Sequence, residues 1–337
     1  MNSFEKFVSL KPNLQPSTLE QYGFTLTKTF RNTCATRNEN DCDCLQDLSW
    51  VNKYCSEIVE ELKERFPNMA TRRTKVSHFA EVCKQLNFLE SWKFFKDYHT
   101  SLMKESMSEP TQKRTPKQEE KKITFETFDK MCRASATLSN KILAKDQNSS
   151  SEELGAYLIV QESMYLHLYK SFPLRRDLGS CLLIRQDFQD NFTEDPGFEC
   201  YYQNHDLANN NYIMKNGKRY LLVLNDFKNV KKLGTKTFIL TGKVKKYLDW
   251  MCNSPANKTD SLLLNKKGNP MTRETFAKTF QTCCQKYTGV KSRHNDWRHG
   301  IVNHYFGNDS SLDKRKKVAS CMCNSVMTQM THYEKKE

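Results

Sequence analysis

The sequence predicts a mainly α fold with one small antiparallel β-sheet (α+β), divided between two domains. Three observations predict it. Apolar residues recur at helical spacing through the first hundred positions. A charged, proline-containing stretch begins at position 104. Further on, an Asn216-Gly217 pair stands between two short apolar runs, a strong hairpin signal. The 337 residues suit about two domains, each of roughly 100–200 residues.

In chain order, "QPSTLEQYGFTLTKTF" opens with a helix-start signature. Ser17 and Glu20 fit a capping box, and Leu19, Tyr22, Leu26 and Phe30 share one face. "WVNKYCSEIVEELKERFPN" predicts a second amphipathic helix through Val51, Cys55, Ile58, Leu62 and Phe66, stopped by Pro67. "MATRRTKVSHFAEVCKQLNFL" and "ESWKFFKDYHTSLM" predict a third and a fourth. Residues 1–103 therefore read as a helical domain. "KESMSEPTQKRTPKQEEKK", residues 104–122, carries two prolines, many charges and almost nothing apolar, as a linker does. Residues 123–337 form the second domain. There "SSSEELGAYLIVQESMYLHLYKSF" predicts a long helix ending before Pro173. The stretch "NNYIMKNGKRYLLVLNDFKNVKKLGTKTFILTG" predicts three antiparallel strands, the last being "KTFIL", with a lysine-rich turn "KNVKKLG" before it. Helices resume with "KVKKYLDWMC" and "TRETFAKTFQTCCQKY".

The formal net charge is +14 and the sequence pI is about 9.1. Such a balance favours an anionic partner, nucleic acid first, though charge alone leaves a merely soluble basic protein about equally open. The 13 cysteines are odd in number, scattered, and contain no CxxC pair, so they read as reduced thiols of an intracellular protein. Cys42 and Cys44 are a possible metal pair, two ligands short of a tetrahedral site. "MNSFEKFVSLKPNLQ" lacks the uninterrupted apolar core of a signal peptide. No apolar run approaches the roughly 20 residues that span a bilayer. The expectation is a soluble, intracellular chain.

The final stretch, "VASCMCNSVMTQMTHYEKKE", puts small and apolar residues ahead of Tyr333, so it should pack. The plain reading of Tyr333 is a residue closing the last buried turn. The alternative is chemical. A tyrosine hydroxyl has a reference pKa of about 10 and is a poor nucleophile near neutral pH. To attack a phosphodiester it needs fixed cations on the non-bridging oxygens, an acid for the leaving 5′ oxygen, and a frame that aligns attack in line. Arginine suits the first task through its planar fork, and lysine can do the second.

The sequence offers these groups in order: Arg175 in "FPLRRDLGSCLL", Lys228 in "FKNVKKLG", Arg298 in "HNDWRHGIVNHYF", and Asn324 nine residues before Tyr333 in "MCNSVMTQMTHYEK". That order and spacing resemble the tyrosine recombinase (phage integrase) family. Its pattern is Arg, a hairpin Lys, His-x-x-Arg, a second His or Trp, and Tyr nine residues on. The helical first domain, the linker and "LLLNKKGNPMTRETFAKTF" before the late helices fit the same resemblance, which covers nearly the whole chain. The "PLRR" form resembles recombinases of eukaryotic mobile elements and large DNA viruses.

The resemblance implies a helical core-binding domain and a tyrosine-recombinase catalytic domain that together clamp double-stranded DNA. Arg175 and Arg298 would hold the scissile phosphate, with Arg176 an alternative to Arg175. Lys228 would be the general acid, with Lys231 and Lys232 read as a solvated turn. Tyr333 would form a 3′-phosphotyrosine. Asn295 stands where the family has its first histidine, beside His294, and Asn324 stands where it has the second. An amide donates a hydrogen bond but shuttles no proton. His299, after Arg298, reads as structural. The implied function is DNA strand exchange, integration or recombination, with no metal, ATP or other cofactor, by an assembly of usually four protomers on two duplexes. Two rivals stay open. One is a type IB topoisomerase, which fits a chain with little beyond its tyrosine. The other is a non-catalytic DNA-binding protein on a degenerate scaffold, which fits the two asparagines.

Overall fold

The computed structural model describes residues 1–34, 44–108, 116–144, 154–187, 202–305 and 311–333. The chain divides into two compact units, Met1–Thr111 and Gln112–Glu337.

The first unit is helical: α1 (Ser3–Ser9), α2 (Pro16–Cys34), α3 (Ser49–Lys53), α4 (Cys55–Arg65), α5 (Met69–Gln85) and α6 (Leu89–Ser108). Its core gathers Phe7, Tyr22, Leu26, Trp50, Phe79 and Phe95. The capping box lies elsewhere than expected. Asn2 and Glu5 form one at α1, each side chain accepting the other's backbone N–H. In α2 the Thr18 and Leu19 N–H groups bond Gln15 O, so Ser17 already lies inside the first turn. Pro16 takes the first helical position, where its fixed φ suits the helix and its missing N–H costs nothing. The second expected helix bends at Tyr54 (φ −120°, ψ 37°), which divides it into α3 and α4. Helical bonds continue on both sides, Tyr54 N–H to Trp50 O and Ile58 N–H to Tyr54 O. An apolar stripe is blind to such a one-residue bend. Helix α6 runs to Ser108, into the stretch read as linker. Lys104 and Glu105 are good helix formers, and no breaker comes before Pro110.

The second unit contains α7 (Phe125–Leu143), α8 (Leu154–Ser171), a 3₁₀ turn (Asp177–Ser180) and strands β1 (Leu182–Asp187), β2 (Tyr212–Asn216), β3 (Arg219–Leu224) and β4 (Lys236–Leu240). Helices α9 (Gly242–Asn253), α10 (Arg273–Thr288), α11 (His294–Tyr305) and α12 (Leu312–Cys321) follow. Val326–Thr328 and a π turn, Gln329–Tyr333, close the described chain. Helix α8 is buried nearly all round, from Ala156 to Tyr169, which marks it as the central helix of the unit. Helix α7 was not anticipated. Its apolar stripe, Phe125, Phe128, Met131, Cys132, Ala136 and Ile142, is at helical spacing, interrupted by Ser135 and Ser139 on the same buried face.

The sheet order is β1-β2-β3-β4. The three expected strands pair antiparallel, with Asn216 opposite Arg219 and Leu222 opposite Phe238. The hairpin loop is Gly217-Lys218, one residue on from the Asn-Gly pair, and Gly217 takes the positive φ of 56° that its tight turn requires. The purely antiparallel expectation needs correction, because β1 adds a fourth strand parallel to β2. Its core, Leu182-Leu183-Ile184, is a continuous apolar run without the alternation that marks a half-exposed strand.

Helix α11 is held against α7 by packing that leaves no slack. Trp297 stacks on Phe128 with ring centroids 3.8 Å apart and donates Nε1–H to Tyr169 O at 3.0 Å. A Cβ on Gly300 would lie 2.2 Å from Ile123 O. The helix carrying Arg298 is therefore fixed in position before its arginine does anything.

Candidate active site

Helix α8 stops at Ser171 ahead of Pro173, and the chain turns there to present two arginines. The main chain of Arg175 is fixed on both sides: its carbonyl accepts the Tyr169 hydroxyl, and its N–H donates to Asp177 Oδ2 at 3.2 Å. Its side chain donates Nη2–H to Asn324 Oδ1 at 3.2 Å. Arg176 goes elsewhere, pairing with Glu274 at 2.9 Å with both side chains more than half exposed. Such an exposed pair contributes little to stability. Of the two candidates, Arg175 is the one that joins the residues before Tyr333.

Arg298 is fully buried. It donates Nη1–H to Pro173 O, Nη2–H to Met322 O at 3.0 Å, and Nε–H to the Tyr333 hydroxyl at 3.2 Å. Among the described residues no carboxylate bonds it. Burial pulls its pKa down and Arg175 adds to that, while the phenol and the more distant Asp177 oppose them. Asp177 is itself buried, and burial raises its carboxyl although Arg273, Arg175 and Arg298 lean the other way. A buried guanidinium without a bonded carboxylate is costly. It is also a site prepared for an anion.

Tyr333 is 7% exposed and belongs to the core of this unit, so the plain reading of a buried closing residue holds for its ring. Its hydroxyl is another matter. Burial alone would raise the phenol, but Arg298 and Arg175 outweigh it and hold the pKa below the usual tyrosine value. The Arg298 guanidinium also lies 4.9 Å from the Tyr333 ring centroid. His299 bonds the Tyr333 carbonyl through Nδ1 at 2.9 Å, a contact to backbone.

Asn324 joins the pieces. Its Oδ1 accepts from Arg175 and, at 3.3 Å, from Asn229 Nδ2. Asn229 also donates to Cys323 O at 2.9 Å. The Nδ2 of Asn324 is buried and, among the described residues, makes no full hydrogen bond. It faces the Tyr333 hydroxyl, and as a donor there it adds to Arg298 and Arg175 in lowering the phenol. The turn is built on Cys323, which adopts φ 49°, a left-handed conformation that non-glycine residues rarely take. That turn aims Met322 O at Arg298 and Cys323 O at Asn229.

The other sequence candidates are not brought into this cluster. Asn295 is exposed on the first turn of α11 and makes no hydrogen bond to the site. The buried neighbour is His294, packed against Phe280 at 4.0 Å and against Tyr169 and Phe276 at 5.1 Å. Burial and then Arg298 and Arg176 lower its pKa to about 3, so it is neutral. Its Nε2 has no partner. Lys228 is exposed on the turn after β3, beside the bonded Asn229, and makes no ion pair among the described residues. Lys231 and Lys232 are exposed. Sequence reasoning missed Asn229 and Lys236, neither of which stands in a recognisable spacing. Cys44 is buried, and its proposed partner Cys42 lies outside the described residues. Among the described residues no group of three or more His, Cys, Asp or Glu could hold a metal. No described helix is long and apolar enough to cross a membrane.

No protein-family model matches the chain. No curated protein matches it. Among solved structures the chain is similar to that of XerA recombinase, with a TM-score of 0.39 and 9% identity, over 99% of this chain and 94% of that one. A likeness at that level adds nothing to the chemistry, which rests on the side chains themselves.

Proposed function

We propose that this chain is a DNA cleaving and rejoining enzyme of the tyrosine recombinase type, with Tyr333 as nucleophile. One observation carries the reading: a fully buried arginine, bonded to no carboxylate among the described residues, donates to the hydroxyl of a tyrosine whose pKa is lowered. A structural tyrosine needs no such cation.

The scissile phosphate enters beside Tyr333 and takes its charge balance from Arg298 and Arg175. Asn324 Nδ2, buried and making no full hydrogen bond among the described residues, donates to a non-bridging oxygen. The Tyr333 oxygen attacks phosphorus, and its proton leaves to solvent. As the new O–P bond forms, the P–O5′ bond breaks, and Lys228 delivers a proton to the departing 5′ oxygen. The 3′ end stays on Tyr333 until a 5′-hydroxyl reverses the step. The exchange conserves one phosphodiester bond, so it needs neither ATP nor a metal. The helical first unit contributes further DNA contacts, and strand exchange needs a second duplex and further protomers.

The exposure of Asn295 favours one other reading, a DNA-binding protein on an inactive scaffold, because the residue in the family's first histidine position is turned away from the phenol, whose ring packs instead against His299 at 5.0 Å between centroids. Covalent capture separates the two. Nicked duplexes of randomised sequence, from which the cut strand diffuses away, should yield a protein–DNA adduct that survives denaturation. Tyr333→Phe should abolish the adduct and leave duplex affinity nearly unchanged. An adduct of full yield from Tyr333→Phe removes Tyr333 from the chemistry, and no wild-type adduct on any duplex favours the binding protein.

A further inference from the structure

Next to Asn324, on the side of the sheet edge, lies a groove of about 270 Å³. This is slightly below the usual size of small-molecule pockets, roughly 300–1,000 Å³. Its polar lining comes from three elements: Lys236 at the start of β4, Lys316 and Ser320 on α12, and Asn324 and Ser325 in the turn after it. Among the described residues no Asp or Glu lines it. Lys236 is half-buried and has no ion pair or hydrogen bond among the described residues. It lies close enough to Cys323 to favour that thiolate. Lys316 makes only a loose contact with Asp313, 3.8 Å away, whose side chain is 86% exposed. The groove ends at Asn324, 5% exposed, whose side chain also acts on the Tyr333 hydroxyl, so the groove adjoins the site.

Two lysines on separate elements converge here, and apart from the loose Asp313 contact no described carboxylate balances them. Lysines that only keep a surface soluble are usually interspersed with acids, as Asp129 stands between Arg133 and Lys170. We propose that this groove is a phosphate subsite for the DNA strand, holding the phosphodiester adjacent to the scissile one with Lys236 and Lys316. It rests on the reading that DNA is the partner. The subsite would fix the strand's direction past Tyr333, a positioning role distinct from protonation of the leaving oxygen.

The test is acetylation footprinting of the full chain with and without a random-sequence duplex, read by mass spectrometry. A salt titration of wild type and the double variant Lys236→Gln/Lys316→Gln accompanies it. Both side chains reach solvent, so the variant should fold, which circular dichroism checks. The expected result is at least tenfold slower acetylation of Lys236 and Lys316 in the complex. The variant's plot of log affinity against log salt should be shallower by about 1–2 units, one for each phosphate that a lysine no longer neutralises. If the duplex binds but both lysines react at their free rate, or the slope is unchanged, the subsite is overturned. If no duplex binds at low salt, the subsite and the proposed function fall together. If the lysines are protected but wild type forms no adduct, the subsite stands and the chemistry proposed for Tyr333 fails.

Discussion

Arg298 donates its Nε–H to the Tyr333 hydroxyl at 3.2 Å across 35 residues of sequence. The remaining forks of the same guanidinium hold the carbonyls of Pro173 and Met322. One side chain thus ties together the bend that presents Arg175, the turn that presents Asn324, and the tyrosine itself. The site is preorganised by a cation that no carboxylate bonds among the described residues, which fits it to stabilise charge that develops on a bound phosphate.

Arg298→Lys tests whether this arrangement is chemical or only structural. A lysine keeps the charge but cannot reproduce a planar fork directed at three acceptors. Adduct formation should slow by at least about 10²–10³-fold, the usual cost of one transition-state donor. Thermal unfolding measured alongside separates a lost frame from lost catalysis. A folded Arg298→Lys protein that forms adduct at the wild-type rate removes Arg298 from the phosphate clamp.

The lowered phenol pKa makes a second expectation. For an acid, a lowered pKa means that the charged form is favoured, so Tyr333 should ionise before the ordinary tyrosines near about 10. Subtracting the phenolate absorbance of Tyr333→Phe from that of wild type, across a pH titration, isolates this one group. Arg175→Ala should move the transition upward, because Arg175 is one of the two cations that lower it. A difference curve that rises only with the bulk tyrosines contradicts the electrostatic account.

The amide at Asn324 gives the third. Asn324→Ala removes the donor to the phosphate and the acceptor that bonds Arg175, and should slow cleavage by about 10²–10³-fold with little change in binding to intact duplex. Asn324→His should retain activity, since imidazole can also donate. If Asn324→Ala cleaves at the wild-type rate, the amide only joins Asn229 to Arg175.

Much of this was legible in the sequence, and what was not has physical reasons. The helices of the first unit, α1 excepted, and the hairpin at Gly217 follow from apolar period and turn chemistry. The strand β1 escaped because a buried parallel strand has no alternation to read. Helix α7 was legible in the spacing of Phe125, Phe128, Cys132, Ala136 and Ile142, although it was not anticipated. In the site, Arg175, Arg298, Asn324 and Tyr333 could be named as candidates because two arginines, an asparagine and a tyrosine stood in an order that resembles a known family. The choice between Arg175 and Arg176 could not be made from "PLRR", since adjacent residues differ only in the direction of their side chains. Which residue of "HND" turns inward is likewise set by packing against Tyr169, Phe276 and Phe280, which spacing does not encode.

That packing makes His294 the source of a pH dependence. Burial among three aromatic rings strips it of solvent, and the cations Arg298 and Arg176 add to that in disfavouring an imidazolium. Its pKa falls from an ordinary 6.5 to about 3 in the folded chain. Below pH 6.5 the unfolded state binds a proton that the folded state refuses, so stability declines as the pH falls from about 6.5 towards 3. At pH 5 the decline attributable to His294 is on the order of 2 kcal/mol, from about 1.4 kcal/mol per pH unit. Urea unfolding at pH 7 and pH 5 should show wild type losing about that much more than His294→Phe, whose ring fills a similar space and does not titrate. His78, whose pKa is also lowered by burial, to about 4, lies in the first unit and is common to both proteins. Its effect therefore cancels in the comparison. Equal losses in the two proteins would mean that His294 is protonated in the folded chain, and that the site cations are screened from it by solvent.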